Sequence, residues 1–392
     1  VIYEVAKRRE VPRDEFLRAL DEDMHAMVLK DYAALPNLFR VKTMQSAEKL
    51  RAHPYVRAAD RWDVQIQAAR TVSLSNDGDF KADKANGNWG TTRAFRRHNP
   101  FINRTFSLAE APFSATTTVN RTGSGVHLYV MDSGLETTQD WFTGTVTPLF
   151  SRFATDPNNP TLAECDETYG HGTWMTYCAA ADDEGVAPGV EVLIVRALDS
   201  NGSLNTSDFV NAADAIVTHY NNTATGPGVV NMSLSFFNSP ASTVVTATDD
   251  MVSAGLVCSA SAGNEDADLS SNDVEPAETT GVLTVGATTI RDTIAGFSTY
   301  GTAVDIWSPG EEVACKGAAN AWASISGTSP AAAFVAGVCA LMLQGRTPFT
   351  TLAEVQSFND ELKANALTRV PTRGKYAGNT NKLLYFDPTT AI

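Results

Sequence analysis

The chain has 392 residues, 43% of them apolar or aromatic and 19% charged, which allows one large domain and one small one, each with its own core. Its formal charge of −15 argues against a nucleic-acid partner, which calls for a basic face, and no apolar run approaches the roughly eighteen residues of a membrane helix. The five cysteines (Cys165, Cys178, Cys258, Cys315 and Cys339) show no paired metal-binding spacing. Cys165 and Cys178 are candidates for a bridge that spacing alone does not establish.

Residues 1–70 read as a small α+β unit. Val1, Tyr3 and Val5 alternate as in a half-buried strand, and a helix with Phe16, Leu17, Leu20 and Met24 on one face follows Pro12. A weakly marked strand falls at Met27–Asp31, and Phe39, Val41 and Thr43 alternate again. Ala47 and Leu50 predict a second helix that stops before Pro54, and Trp62, Val64 and Ile66 a last strand, Trp62–Gln67. The order β-α-β-β-α-β is that of a split-βαβ sandwich. Residues 71–87, with Asn76-Asp77-Gly78-Asp79 and Asn86-Gly87, lose all periodicity and read as an exposed linker.

A second unit covers residues 88–392. Compact, β-branched runs at His127–Met131, Glu191–Val195, Val229–Leu234, Leu256–Ala260 and Val282–Val285 read as buried strands. Between them, Phe209, Val210, Ala213, Ile216, Val217 and Tyr220 recur at helical spacing, and further helices are expected over Val244–Ala254 and Pro330–Leu343. The alternation predicts an α/β fold, a largely parallel doubly wound sheet covered on both faces.

In such a sheet, functional groups gather beyond the carboxyl ends of the strands. Asp132-Ser133-Gly134 ends one strand and Ala262-Gly263-Asn264 another. Gly170-His171-Gly172-Thr173 opens an Ala-rich helical segment, and Gly327-Thr328-Ser329 precedes the last helix. A serine hydroxyl becomes a useful nucleophile when an imidazole accepts its proton, and the imidazole needs a carboxylate to fix its tautomer. At a helix N-terminus, backbone N–H groups and the dipole favour a developing oxyanion. Taken singly, Asp-Ser-Gly is an ordinary turn and Gly-Thr-Ser an ordinary helix cap. The order Asp, His, Asn, Ser along a parallel sheet is what points to acyl transfer.

Through Val130-Met131-Asp132-Ser133-Gly134, Gly170-His171-Gly172-Thr173, Ser261-Ala262-Gly263-Asn264 and Ser326-Gly327-Thr328-Ser329, the chain resembles the subtilases, nearest the proteinase K branch. Supporting matches are Asn88-Trp89-Gly90, Gly185-Val186-Ala187-Pro188 and Phe297-Ser298-Thr299-Tyr300-Gly301. The resemblance implies a serine endopeptidase with Asp132 orienting the imidazole, His171 as general base and acid, Ser329 as nucleophile, and Asn264 with the Ser329 N–H as oxyanion hole. It implies that Ser233, Leu234, Ser235, Ser261, Ala262 and Gly263 bind the substrate. Residues 1–70, with Ala52-His53-Pro54-Tyr55-Val56, are similar to subtilase propeptides, which chaperone and inhibit their own enzyme. A self-made cut is then expected near Gln67–Ala68. The resemblance further implies a structural calcium held by Asp305 and the carbonyls of Thr280 and Val282, no organic cofactor, polypeptide substrates, and a monomer working outside the cell.

Pro330, Trp174 and Ala333 depart from the family pattern in ways the fold should tolerate. Side chains at Ser235 and Phe236, where glycines are usual, narrow the cleft or change its preference, unless Phe236 and Phe237 pack into the core. If they block the cleft, the alternative is a catalytically idle subtilase fold with a binding or structural role. An α/β-hydrolase esterase fails on order, because there the nucleophile precedes the acid and the histidine.

Overall fold

A computed structural model describes residues 1–61, 65–67, 89–97, 119–167, 169–182, 184–238 and 241–387. The linker expected at 71–87, together with Trp62, Val64 and Ala68, lies outside the described residues.

The small unit runs β1 (Ile2–Lys7), α1 (Arg13–Glu22), β2 (Met27–Asp31), β3 (Leu38–Lys42), α2 (Ala47–Arg51) and β4 (Val56–Arg61), in a sheet of order β2-β3-β1-β4. Its β-α-β-β-α-β order matches the expectation, with one correction. The fourth strand of the sheet is Val56–Arg61, not Trp62–Gln67. Ala58, Ala59 and Asp60 give this strand a weak apolar signal, yet all three are buried. Tyr3, Val5, Phe16, Leu20, Phe39, Val41, Leu50 and Val56 form a private core.

Downstream, β5 (Gln65–Gln67) leaves that sheet, and α3 is Trp89–Ala94. The large unit continues with β6 (His127–Asp132), β7 (Val146–Ser151), α4 (His171–Ala180), β8 (Glu191–Arg196), β9 (Ser203–Asn205) and α5 (Thr206–Asn222). Then come β10 (Gly228–Met232), β11 (Phe236–Phe237), α6 (Ser242–Ser253), β12 (Val257–Ser261), β13 (Val274–Glu275), β14 (Val282–Thr288) and β15 (Ile306–Pro309). A hairpin, β16 (Val313–Lys316) with β17 (Trp322–Ile325), precedes α7 (Thr328–Leu343), α8 (Leu352–Asn365), β18 (Leu367–Thr368) and β19 (Lys382–Leu383).

The central sheet has the order β18-β19-β15-β14-β12-β10-β6-β8-β7, and every neighbouring pair is parallel except β18 with β19. Helices α3, α4 and α7 pack together over the sheet, and α5, α6 and α8 form a second group. Every residue of α7 is buried, as a helix apolar on all sides from Pro330 onward requires. The chain adds β8 on one side of β6 and β10, then β12, on the other. The carboxyl ends of β6, β10 and β12 therefore converge where the winding reverses, the place at which such sheets bind ligands.

The two units are in contact. Tyr32, Leu35, Leu38 and Ala58 of the small unit join the core of the large one. Asp60 lies at the N-terminus of α6, accepting from the Ser242 hydroxyl (2.9 and 3.0 Å) and the Thr243 N–H (2.7 Å). Arg57 pairs with Asp249 at 2.6 Å, Asn37 donates to Asp250 at 3.2 Å, and the Ala34 N–H donates to Asp214 of α5 at 2.9 Å. Beyond this sheet, β5 runs antiparallel to β9, with Gln65 opposite Asn205 and Gln67 opposite Ser203. Among the described residues, no helix is long and apolar enough to cross a membrane, and all five thiols are buried and unbridged.

Candidate active site

Asp132 closes β6 and His171 opens α4, and both are fully buried. The His171 Nδ1–H donates to Asp132 Oδ1 at 2.7 Å. The carboxylate accepts from Nδ1–H and so keeps the proton on that nitrogen, and the neutral ring carries its lone pair on Nε2, which has no hydrogen-bond partner among the described residues. Burial pushes the imidazole toward its neutral form. The Asp132 charge, the hydrogen bond to it and the Glu167 charge outweigh that, and the ring is more basic than usual.

Two glycines make this approach feasible. Gly170 caps α4 with φ of 92°, a left-handed conformation that a Cβ disfavours. A Cβ on Gly172 would lie 2.2 Å from the Gly134 carbonyl oxygen, so the helix and the Asp132 turn could not close on each other.

Ser329 sits in the first turn of α7, where backbone N–H groups have no intrahelical acceptor. Pro330 is the third residue of that helix rather than the first, and its missing N–H still belongs to the turn that needs none. The Ser329 hydroxyl donates to the Ser233 carbonyl at 3.4 Å, while the Ser233 hydroxyl donates to the Ser329 carbonyl at 2.9 Å. Asn264 Oδ1 accepts from the Thr328 N–H (2.8 Å) and hydroxyl (3.0 Å). With its oxygen so engaged, the amide turns its Nδ2 donors away from Thr328.

The expected cleft residues fall beside these groups. Ser233, Leu234 and Ser235 follow β10, and Ser261, Ala262 and Gly263 complete β12 and its turn. The Ser261 hydroxyl donates to the Leu234 carbonyl at 3.2 Å, joining the two segments, and the Gly263 N–H donates to Thr328 Oγ1 at 3.2 Å. The strand expected to run through Leu234 ends at Met232. Phe236 is fully buried, its ring edge-on to Phe209 at 5.9 Å, and Phe237 is partly buried against the core.

Glu167 is a site residue that sequence motifs do not flag. It is buried, and its carboxylate accepts from Ser133, Gly170 and Thr173. The available signal was a carboxylate four residues before His171.

Thr280, Val282 and Asp305, from which a calcium site was expected, line one pocket. There Asp305 Oδ2 accepts from the Thr284 N–H at 3.1 Å, and Oδ1 faces the Lys363 ammonium of α8 at 3.4 Å. Both carboxylate oxygens are engaged and a positive charge is already present. As arranged, the pocket does not fit a calcium ion, which wants about six to eight oxygens.

The model of the subtilase family matches residues 123–379, and the chain belongs to that family. It is 31% identical to alkaline serine exoprotease A of Vibrio alginolyticus over 82% of this chain and 54% of that protein. It is 35% identical to the extracellular serine proteinase of Thermus sp. (strain Rt41A) over 63% of this chain and 57% of that protein, and 29% identical to Proteinase R of Parengyodontium album over 84% and 77%. The chain thus spans about half the length of the first two of these relatives. Among solved structures, a cold adapted subtilisin-like serine proteinase aligns with a TM-score of 0.62 at 31% identity, covering 77% of this chain and 98% of that one. The fold is subtilisin-like.

Proposed function

We propose that this chain is a secreted, monomeric serine endopeptidase, made as a precursor whose residues 1–67 serve as its propeptide. The observation that carries the catalytic reading is the buried 2.7 Å contact between His171 Nδ1 and Asp132, with Nε2 left to accept a proton. An extended substrate adds its backbone alongside Ser233–Ser235, and its N–H groups compete for the Ser233 carbonyl that now holds the Ser329 hydroxyl. The freed hydroxyl attacks the scissile carbonyl carbon, and its proton passes to His171 Nε2. Asp132 stabilises the imidazolium. Asn264 Nδ2 and the Ser329 N–H donate to the oxyanion. The tetrahedral adduct collapses as the imidazolium protonates the leaving amine, and water repeats the sequence on the acyl-enzyme.

The idle alternative rested on a blocked cleft, and the core position of Phe236 against Phe209 weakens it. The test is labelling by a serine-directed fluorophosphonate together with peptide hydrolysis. Both are expected in the native chain and absent in Ser329→Ala; retained hydrolysis in that variant overturns the reading.

The same proposal makes Lys363 the resident cation of the Asp305 pocket. Calcium, which subtilases generally use for stability, would have to displace it there.

A further inference from the structure

We infer that Glu167 is a positioning residue for His171, fastening the first turn of α4 to the Asp132–Gly134 turn and keeping the Ser133 hydroxyl away from the Asp132 carboxylate. The inference rests on the catalytic reading of His171 given above.

Glu167 is 6% exposed, and its carboxylate is fully engaged. Oε2 takes the Gly170 N–H at 3.2 Å and the Ser133 hydroxyl, while Oε1 takes the Thr173 N–H and the Thr173 hydroxyl. Ser133 Oγ in turn accepts from the Gly172 N–H at 2.9 Å. The N–H groups of residues 170, 172 and 173, which flank His171 and lie at a helix start without intrahelical acceptors, are therefore all held by Glu167 and Ser133. Burial pushes the Glu167 carboxyl up, and the donors from Ser133 and Thr173 together with the helix dipole work against that and favour the charge. The Glu136 N–H, bonded to Thr173 Oγ1 at 2.8 Å, ties the same turn from the Asp132 side.

The Ser133 hydroxyl has one proton and two carboxylates within reach. It is close to Glu167 Oε2 and 3.3 Å from Asp132 Oδ1. With Glu167 ionised the proton points to it, and Asp132 Oδ1 keeps only the Ser133 N–H (2.7 Å) and the imidazole. Without that charge the hydroxyl turns to Asp132. An added donor there weakens Asp132 as acceptor for the imidazole. The lost charge and the added donor both make the ring less basic.

Other groups around the ring do not substitute for Glu167. The Tyr169 ring stacks on His171 at 6.1 Å, and burial with the two nearby carboxylates holds its phenol neutral. The Arg196 guanidinium lies over the Phe153 ring at 4.7 Å and donates to the Glu164 carbonyl. The Asp166 carboxylate is held by the Thr137 N–H at 3.0 Å.

The test titrates the His171 ring by NMR in full-length Ser329→Ala protein, so that it is independent of whether the chain hydrolyses peptides. Glu167→Gln should lower the ring pKa by about 0.5 unit or more, whereas Glu167→Asp should keep it. In the active background, E167Q should shift the acid limb of kcat/KM downward by the same amount and lower kcat with KM nearly unchanged. An unchanged ring pKa in folded E167Q overturns the inference even if the protein melts earlier. Should E167Q not fold, Ser133→Ala decides. It should lower kcat roughly tenfold at constant KM without lowering the ring pKa, and wild-type kcat there overturns the inference. A chain with no hydrolysis in any form fails the functional reading alone, since the titration still reports on Glu167.

Discussion

Asn264 and Asp250 show how single side chains can be separated by what they bind. Asn264 anchors its Oδ1 on Thr328, and under the proposed function its Nδ2 donors serve charge that forms only in the transition state. Asn264→Ala should therefore lower kcat by about 10²–10³ with little change in KM, the range that loss of an oxyanion donor costs a subtilisin. A change confined to KM would make Asn264 a ground-state contact. Asp250, on α6, is buried where Asn37 and Arg9 of the small unit meet it. Burial raises its carboxyl to about 6, against the opposing pull of Asn37 and Arg9. If release of residues 1–67 re-exposes Asp250 to water, its pKa returns toward 3.8. The bound state then holds the proton more tightly, so affinity between the two units is greatest at low pH and falls as pH rises from about 4 through about 6. Titration calorimetry on the separated units should show this slope in wild type and lose it in Asp250→Asn; parallel slopes would exclude Asp250 as the cause. The motif residues were legible because each sits in a fixed local setting of turn, glycine and helix start. Glu167 was not, because its partners Ser133 and Thr173 come together only when β6 and α4 pack.

Among the elements, those with strong apolar periodicity were readable, and the strands found at β6, β8, β10, β12 and β14 all overlap their expected runs. Those missed carry a physical excuse. Val146–Ser151 contains Pro148 and is mostly half-exposed at the sheet edge, and Val56–Arg61 buries small alanines and a capping aspartate rather than branched side chains. Trp62–Gln67 looked like a sheet strand because it alternates, but alternation does not name the partner, and its described part pairs with β9. Helix α8 was not anticipated, and it supplies Lys363 to the Asp305 pocket. An ammonium in contact with Asp305 should make stability insensitive to calcium at this site. Lys363→Met removes the charge while keeping most of the stem, so calcium should raise the melting temperature of K363M more than that of wild type, by mass action on the folded state. The gain should vanish in a Lys363→Met, Asp305→Asn double variant. An equal response to calcium and chelator in wild type and K363M would mean that Lys363 does not hold the place of the ion.

At the scale of the whole molecule, the small unit is a clamp on α5 and α6 whose outgoing strand pairs with β9. It has a private core, while Tyr32, Leu35 and Leu38 bury apolar surface against the larger partner. Asp60 satisfies donors at the start of α6 that would otherwise lack acceptors, so docking completes a helix of the large unit. Beyond Arg61 the chain pairs Gln65–Gln67 antiparallel to Ser203–Asn205, the geometry by which an extended peptide adds to an exposed edge. A strand held in that way delivers the bond that follows it in one orientation, and tethering makes the encounter with Ser329 intramolecular. Wild-type protein should therefore appear as two fragments on a denaturing gel, split within about three residues of Gln67, and Ser329→Ala should remain one chain. The cut should be first order, with a rate independent of protein concentration. After it, the fragments should elute together under native conditions, because the interface on α5 and α6 does not depend on the severed bond. Asp60→Ala should loosen that association by removing the acceptor from the α6 start, at a cost of about 1 kcal/mol. A wild-type chain that stays whole while hydrolysing peptides, or residues 68–392 refolding as readily alone as with residues 1–67 added, would show that the small unit is not a propeptide.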